Sequence, residues 1–280
     1  MSWIDRSFPT TATPSDLVGR VLGLNPGMMT GPGTNTYLVG RRDPILIDTG
    51  AGVPDYVPLM ERYLGERGFS QPARVVLTHR HRDHMGGVGQ LRARFRGLAV
   101  AKMIHKDSGL PEPIDDLRDG QKVEGEGVTL IPIHTPGHAS DHLCFYLEEE
   151  RVLFTGDTVL SGTTAVINPP DGDMAAYLQS LDRLRKRRLT RLCPGHGDVL
   201  DDPKAILTEY VAHRMERENQ ILEILSAGPS KISDLVAKIY VDVPEALHDM
   251  AGRSVLAHLQ KLKAEGRVSG RDANSAWKVA

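Results

Sequence analysis

Cysteine is nearly absent from this chain. Cys144 and Cys193 are the only two in 280 residues, too few for a disulfide framework, so apolar packing must hold the fold and a reducing compartment, the cytoplasm, is the expected setting. Long hydrophobic runs are also missing. Nothing approaches the ~18 uninterrupted apolar residues of a membrane-spanning helix, and MSWIDRSFPTTATPSD at the start has no apolar stretch of a secretory signal. No membrane partner is expected. Net charge is scarce as well: 34 Lys+Arg stand against 36 Asp+Glu, a formal −2, which excludes an overall polyanion binder but leaves room for a local basic patch. Aromatic residues make up 5%, which leaves few platforms for stacking bases.

The chain is rich in glycine (28) and histidine (11). Through the first two hundred residues, short β-branched runs alternate with Gly, Pro and Asp. Thr36–Val39 and Pro44–Ile47 read as a hairpin. Val75–Thr78, Leu98–Ala101, Val128–Ile131, Leu143–Leu147, Val152–Thr155 and the run into Cys193 read as further strands. Helical spacing appears over Val53–Gly65, Val88–Phe95 and Met174–Arg188. Many strands with several helices fit an α+β architecture, an αββα sandwich of two packed sheets with helices outside. Beyond residue 203 strand signals vanish. Pro203–Ser226, Ile232–Tyr240 and Pro244–Glu265 read as helices, with Ser230 the expected N-cap of the second, and Gly266–Ser269 with Ser275–Val279 as a terminal hairpin. The expected organisation is a catalytic domain over 1–203 and a winged-helix-like domain over 204–280.

The chemistry concentrates at His79-x-His81-x-Asp83-His84. Imidazole and carboxylate suit a divalent cation of the zinc type. On a segment leaving a strand, residues 79 and 81 point to one side, while Asp83 and His84 fall on a turn that Gly86-Gly87 is expected to let bend. One segment can thus serve two adjacent ions. Three further strand-end turns beside glycine offer His138, Asp157 and His196. The expected division gives His79, His81 and His138 to one ion and Asp83, His84 and His196 to the other, with Asp157 between them because a carboxylate has two oxygens. A histidine alone at a strand end is ordinarily satisfied by a carbonyl; four ligand-type side chains in six residues are a different matter. Asp48 is a candidate to hold a ligand histidine or simply to close a strand end. His134 reads as a supporting or backbone-bonded structural histidine, His105, His142, His213, His248 and His258 as packing or solvent-facing residues, and Cys193 as a buried thiol.

These motifs resemble the metallo-β-lactamase superfamily, whose HxHxDH signature stands here as His79–His84. Asn25-Pro26-Gly27, Gly33–Gly40, Ile47–Gly50, Thr135–His138, Gly156-Asp157, the segment Pro244–His248 and the closing Trp277-Lys278 are similar to its β-lactamase-like endoribonuclease subgroup, which carries a C-terminal winged helix. The resemblance implies a hydrolase that activates water on two divalent ions, Zn²⁺ by default with Mn²⁺ or Fe²⁺ as alternatives. Asp83 and Asp157 are the expected catalytic carboxylates. It implies single-stranded RNA as substrate, helped by Arg80, Arg82 and the basic run Arg183, Arg185, Lys186, Arg187, Arg188, Arg191, although cations at a helix C-terminus also serve its dipole. The alternative is a small thioester, lactone or β-lactam on the same metal pair. A single-iron oxygenase on His79, His138 and Asp157 is a third reading, and a non-catalytic scaffold a fourth. The segment 203–280 holds eleven Lys/Arg against ten Asp/Glu, so duplex DNA is not an expected partner; walling a cleft or forming a subunit contact in an oligomer suits it better.

Overall fold

The computed structural model describes residues 3–105 and 109–280. Their contacts divide the chain into two units. One holds the residues up to Thr135 with Asp141–Thr164 and Arg188–Pro203; the other holds Pro136–Ser140, Ala165–Arg187 and Lys204–Ala280.

In the first unit the β-branched runs form two sheets. The first sheet has the spatial order β1 (Thr11–Ala12), β2 (Val18–Leu22), β3 (Asn35–Val39), β4 (Ile45–Ile47), β5 (Arg74–Val76), β6 (Ala99–Lys102) and β7 (Asp115–Asp116). It is antiparallel from β1 to β4 and parallel from β4 to β7. Parallel neighbours need a crossover, supplied by α1 (Tyr56–Glu66) between β4 and β5, and by α2 (Arg82–Met85) and α3 (Val88–Arg94) between β5 and β6. The second sheet runs β8 (Val123–Gly125), β9 (Val128–His134), β10 (Leu143–Leu147), β11 (Val152–Gly156), β12 (Arg191–Pro194) and β13 (Leu200–Asp201). Its one parallel pair is β11 with β12.

Side-chain alternation along a strand builds two cores from one sheet. Val18, Tyr37, Val39, Ile45, Ile47 and Val76 pack against Leu130, Phe145, Leu147 and Phe154 of the second sheet. Their neighbours Val21, Leu38, Leu46 and Val75 pack against Tyr56, Met60 and Leu64 of α1 and Leu91 of α3. The first sheet therefore has apolar side chains on both faces, which is why its strands read as continuous hydrophobic runs. The expected strands are present, and the helices lie where the spacing put them. The strands missed are β2, whose Gly19-Arg20 interrupts the pattern, and the short β1, β7, β8 and β13.

In the second unit, α4 (Met174–Arg185) is capped by Asp173, whose carboxylate accepts the Ala176 N–H at 2.9 Å. Then come α5 (Pro203–Ser226), α6 (Ile232–Ile239), a 3₁₀ turn at Glu245–Leu247, α7 (His248–Ala264) and the antiparallel hairpin of β14 (Val268–Ser269) with β15 (Lys278–Val279). Ile221 and Leu225 of α5, Leu235 and Ile239 of α6, and Val255, Leu259 and Leu262 of α7 close a core with Val268 and Trp277. This is the winged-helix arrangement expected. The N-cap of α6 is Lys231 rather than Ser230: the Ser230 backbone is committed to Trp277, giving and receiving hydrogen bonds of 2.9 and 2.8 Å. Asp234 accepts the Lys231 N–H at 3.2 Å, and a lysine ammonium has no acceptor to return to the helix start. Among the described residues no helix is long and apolar enough to cross a membrane.

Candidate metal centre

Both sheets deliver functional side chains from the ends of parallel strands. In the first sheet, β4 and β5 pair with Ile47 beside Val76, so Asp48 and Thr78 leave the sheet side by side. Asp48 takes a left-handed backbone (φ 60°), which a short polar residue tolerates best after glycine. Its carboxylate accepts the Thr78 N–H at 2.8 Å and the Thr78 hydroxyl at 2.8 Å. The chain then passes His79 and enters α2 with His81 as N-cap. In the second sheet, β11 and β12 end with Gly156 beside Pro194, and Asp157 and His196 follow. Asn35 ties the His196 turn down: its amide donates to the Pro194 and Gly197 carbonyls at 2.9 and 2.8 Å.

Asp48 sets two histidines at once. It accepts the His84 Nδ1–H at 2.7 Å, which leaves Nε2 to point away. The Thr78 hydroxyl gives its proton to Asp48, so its oxygen must accept from His79 Nδ1, 3.0 Å away. His79 Nε2 therefore carries the lone pair. Asp48 thus holds His84, one of the two readings open for it.

Those nitrogens face other donors. The ligand atoms of His79, His81 and Asp157 lie within 4.8 Å of one another, as do those of Asp83, His84 and His196. His79 Nε2 and His81 Nδ1 are 2.9 Å apart, and a proton or a cation must sit between them. His84 Nε2 is buried with no hydrogen-bond partner, 3.2 Å from Asp157 Oδ1 and 3.4 Å from Asp83 Oδ2. His196 Nε2 stands 3.3 Å from Asp83 Oδ2 and 3.4 Å from Asp157 Oδ1. Two ligands about 2.0–2.1 Å from one tetrahedral ion are themselves roughly 3.3 Å apart. An orphaned buried nitrogen among donors at that spacing fits a divalent cation. Six of the seven expected ligands thus meet in the first unit. His138 belongs to the second unit, where Nδ1 donates to the Val166 carbonyl at 2.8 Å and leaves Nε2 as the ring's acceptor nitrogen.

The local charges act in the same direction. Burial works against a charged His84, but the carboxylates of Asp157, Asp83 and Asp48 outweigh it and hold the imidazole well above its usual range. His196 is buried too, yet Asp157 and Asp83 push it up to about 9. Burial resists ionisation of Asp83, but His84 and His196 bring it down to about 2. His79, desolvated and next to His84 and His81, is held well below the usual value. The carboxylates stay ionised at neutral pH, and protons occupy positions that a metal would take. Cys193 is pushed up to about 12 by burial, so it remains the buried thiol expected.

Two expectations need correction. Gly86 and Gly87 have ordinary right-handed backbones, φ −64° and −82°, so they do not supply a bend. They are glycines because a Cβ on Gly87 would lie 2.1 Å from the Thr49 carbonyl oxygen, in the strip where Thr49 N–H and Oγ1 hold the His84 carbonyl. The other is His142, which is fully buried and touches the site instead of packing apart from it. Its sequence signal was slight: a histidine opening a strand, just after an aspartate. Gly195 makes room in the same manner, since a Cβ there would stand 2.7 Å from Asp157 Oδ1 and 2.8 Å from His84 Cε1.

Residues 29–196 match the metallo-β-lactamase superfamily and residues 232–277 the β-lactamase-associated winged helix domain. A β-lactamase-like protein 2 homolog of Caenorhabditis elegans is 38% identical over 261 residues, 91% of this chain and 86% of that protein. A protein of a Cryptosporiopsis species named atrochrysone carboxyl ACP thioesterase is 37% identical over 256 residues, 90% of this chain and 77% of the relative. The crystal structure of a β-lactamase domain protein from Burkholderia ambifaria superposes with a TM-score of 0.85 at 18% identity, covering 96% of this chain and 93% of that one; at that identity the likeness shows the fold.

Proposed function

The chain belongs to the metallo-β-lactamase superfamily of hydrolases, and from that premise we propose that it hydrolyses a thioester or a related acyl substrate at two divalent cations, Zn²⁺ by preference. His79, His81 and Asp157 would hold one ion and Asp83, His84 and His196 the other, the two oxygens of Asp157 letting its carboxylate serve both. Two such cations supply, when bound, a nucleophile drawn from water near neutral pH and positive charge for a developing oxyanion. This chain's own residues do the arranging. Asp48 keeps the Nδ1 protons of His84 and His79 on the outer side of each ring, so both Nε2 lone pairs aim inward. Asp83 stays ionised down to acid pH, ready to orient an attacking water as well as bind metal. Asn35 and the Tyr37 hydroxyl, which donates to the Pro194 carbonyl at 2.8 Å, keep the His196 turn from drifting.

The observation that carries the hydrolase is the set of His84, His196, Asp83 and Asp157 donors at one-ion spacing. The acyl substrate draws support from the relative named as an ACP thioesterase, which aligns over nine-tenths of the chain. It draws more from the basic run. Arg185 and Lys186 both pair with Asp182 on their own helix, at 2.6 and 2.5 Å. Arg191 pairs with Asp201 at 3.1 Å and donates to the Pro14 carbonyl. Charges satisfied in this way favour dipole and ion-pair roles over a phosphate track. A small-molecule substrate, with neither duplex DNA nor membrane as a partner, is the corresponding proposal for what the chain meets in the cell.

The test is a side-by-side assay of the metal-loaded protein on acyl-pantetheine thioesters, simple lactones and fluorogenic single-stranded RNA, with Asp157→Ala as control. Thioester turnover that vanishes in the variant is the expected result. Metal-dependent RNA cleavage without thioester turnover would overturn the acyl reading and restore the RNA one.

A further inference from the structure

His142 belongs to no ligand set, yet it is fully buried and bonded on several sides. Its Nε2 accepts the backbone N–H of Asp157 at 3.0 Å. Its ring packs on the ring of His79, centroids 5.0 Å apart and planes inclined by 31°. Its Nδ1 lies 2.9 Å from the Thr135 hydroxyl and 3.3 Å from that of Thr158. The approach is close enough to dictate the residue before Asp157: a Cβ on Gly156 would stand 2.6 Å from His142 Nε2. Because Nε2 is an acceptor, a neutral ring must carry its proton on Nδ1 and give it to a threonine hydroxyl. One imidazole thereby grips a carboxylate ligand by its backbone and a histidine ligand by its face.

We propose that His142 is a positioning residue that sets the Asp157 carboxylate between the two metal positions, acting through the Asp157 backbone N–H and the His79 ring. This rests on the reading of Asp157 as the shared ligand. A bridging carboxylate must divide its oxygens between two ions, so a small rotation of its backbone unseats one of them. The Asp157 N–H is the handle nearest that rotation, and Gly156 in the left-handed region (φ 46°) offers no side chain to resist it. His142 supplies the resistance. Groups of this kind around metal ligands are typically worth about 10–100-fold in affinity.

Three variants separate positioning from packing. His142→Gln places an amide oxygen near the Nε2 position and keeps the acceptor. His142→Asn has a polar group only near the Nδ1 position, and His142→Leu keeps the volume with no acceptor. Cobalt(II) titrations of metal-free protein, read by equilibrium dialysis and visible absorption, should give two ions per wild-type chain. The Leu and Asn variants should bind the weaker ion about 10–100-fold less tightly with a shifted absorption band, and the Gln variant should recover most of that loss. A purely structural role would lower melting temperature alike in all three without this split, and would overturn the proposal. So would ¹⁵N spectra of metal-free wild type with the proton on Nε2 of His142, a measurement that needs no variant to fold. If wild type takes up no cobalt, the metal-centre reading fails and the proposal with it; if wild type binds two ions and the variants match it, only the proposal fails.

Discussion

Two fully buried histidines, one in each unit, are driven in opposite directions. His84 of the sandwich faces three carboxylates and is held well above its usual range despite burial. His258 of the helical unit is pushed below its usual range by desolvation. Its nearest acid, Glu218, is 3.7 Å away and already committed, one oxygen to Lys261 at 2.8 Å and the other to Arg267 at 3.1 Å. The buried charge of Glu218 is thus matched within the helical unit by two cations. The sandwich closes its Lys102–Asp141 pair in the same way, at 2.9 Å, but not the cluster around His84: Asp83 and Asp157 face the Nε2 atoms of His84 and His196 across gaps of 3.2–3.4 Å, too long for good hydrogen bonds and right for two ligands on one ion. Burial costs both units alike; an internal balance marks a structural cluster, and an imbalance marks a place where a cation belongs.

The comparison breaks most visibly at Asp157. Replacing it with Ala should remove at least one metal and reduce turnover by roughly a thousandfold. Metal content by mass spectrometry and thioester hydrolysis check it; two ions retained with near-normal turnover would show that the open cluster does not need its shared carboxylate.

Next in size is Asp48→Asn. The amide can still meet Thr78, but its nitrogen cannot accept a proton from His84, and the order that sets both Nε2 lone pairs is lost. Affinity for both ions should fall about 10–100-fold, read by competition with a chromogenic chelator. A loss confined to the His84 ion would show that Thr78 orients His79 unaided.

pH sharpens the contrast, because only the sandwich should weaken toward alkali once metal is stripped. His196 sits at about 9 in the folded sandwich against 6.5 unfolded. Its contribution is therefore complete below about pH 6.5 and lost as pH rises through about 9. His84 adds to the same trend. Asp83, at about 2 against 3.8, contributes above pH 3.8 and loses stability only in strong acid. In the helical unit, His258 and Glu218 are both held below their usual ranges. There the unfolded chain takes up protons first, and stability falls as the solution is acidified below about pH 6.5. Urea titrations of chelator-treated protein, followed by NMR signals from each unit, should show the sandwich weakening between pH 7 and pH 9 while the helical unit holds; below about pH 6.5 the depressed His79 gives the sandwich an acid loss of its own, so the contrast is read on the alkaline side. Parallel trends would remove the distinction.

How much of this could be read in advance depends on how local each cause is. The stretch His79–His84 announces itself because four ligand-type side chains share six residues. Asp157 and His196 are legible because each ends an apolar run beside glycine. The fold's long strands and helices followed from period alone, since each buries a face set by its own residues. The strand β2 was hidden because its Arg20 is buried through distant contacts, donating to the Pro9 carbonyl at 2.7 Å and lying over the Phe8 ring at 4.3 Å. Strands of two or three residues such as β1, β7, β8 and β13 exist only by virtue of their partners. His142 was misjudged for the same reason: its role is written in Thr135, Gly156 and Thr158, none of which is its neighbour in sequence. The glycine pair after the motif was recognised but explained wrongly, because close approach of Thr49 is a tertiary fact and a bend is a local one.

The smallest expected effect bears on the substrate. Arg185 and Lys186 reach Asp182 across the surface of α4, with side chains 43% and 71% exposed. Exposed pairs of this kind are worth about 0.3–0.5 kcal/mol each, so Arg185→Ala and Lys186→Ala should each leave stability within about 0.5 kcal/mol of wild type in urea. If the run serves its helix and not a phosphate backbone, the double variant should also leave thioester turnover unchanged and any weak binding of single-stranded RNA unaltered in its salt dependence. A shallower slope of affinity against salt would mean that these cations neutralise phosphates after all, since each phosphate contact contributes roughly 0.7 to that slope on a single strand. In that case the ion pairs with Asp182 would be resting partners that RNA displaces, and the helical unit would take part in binding a polymer.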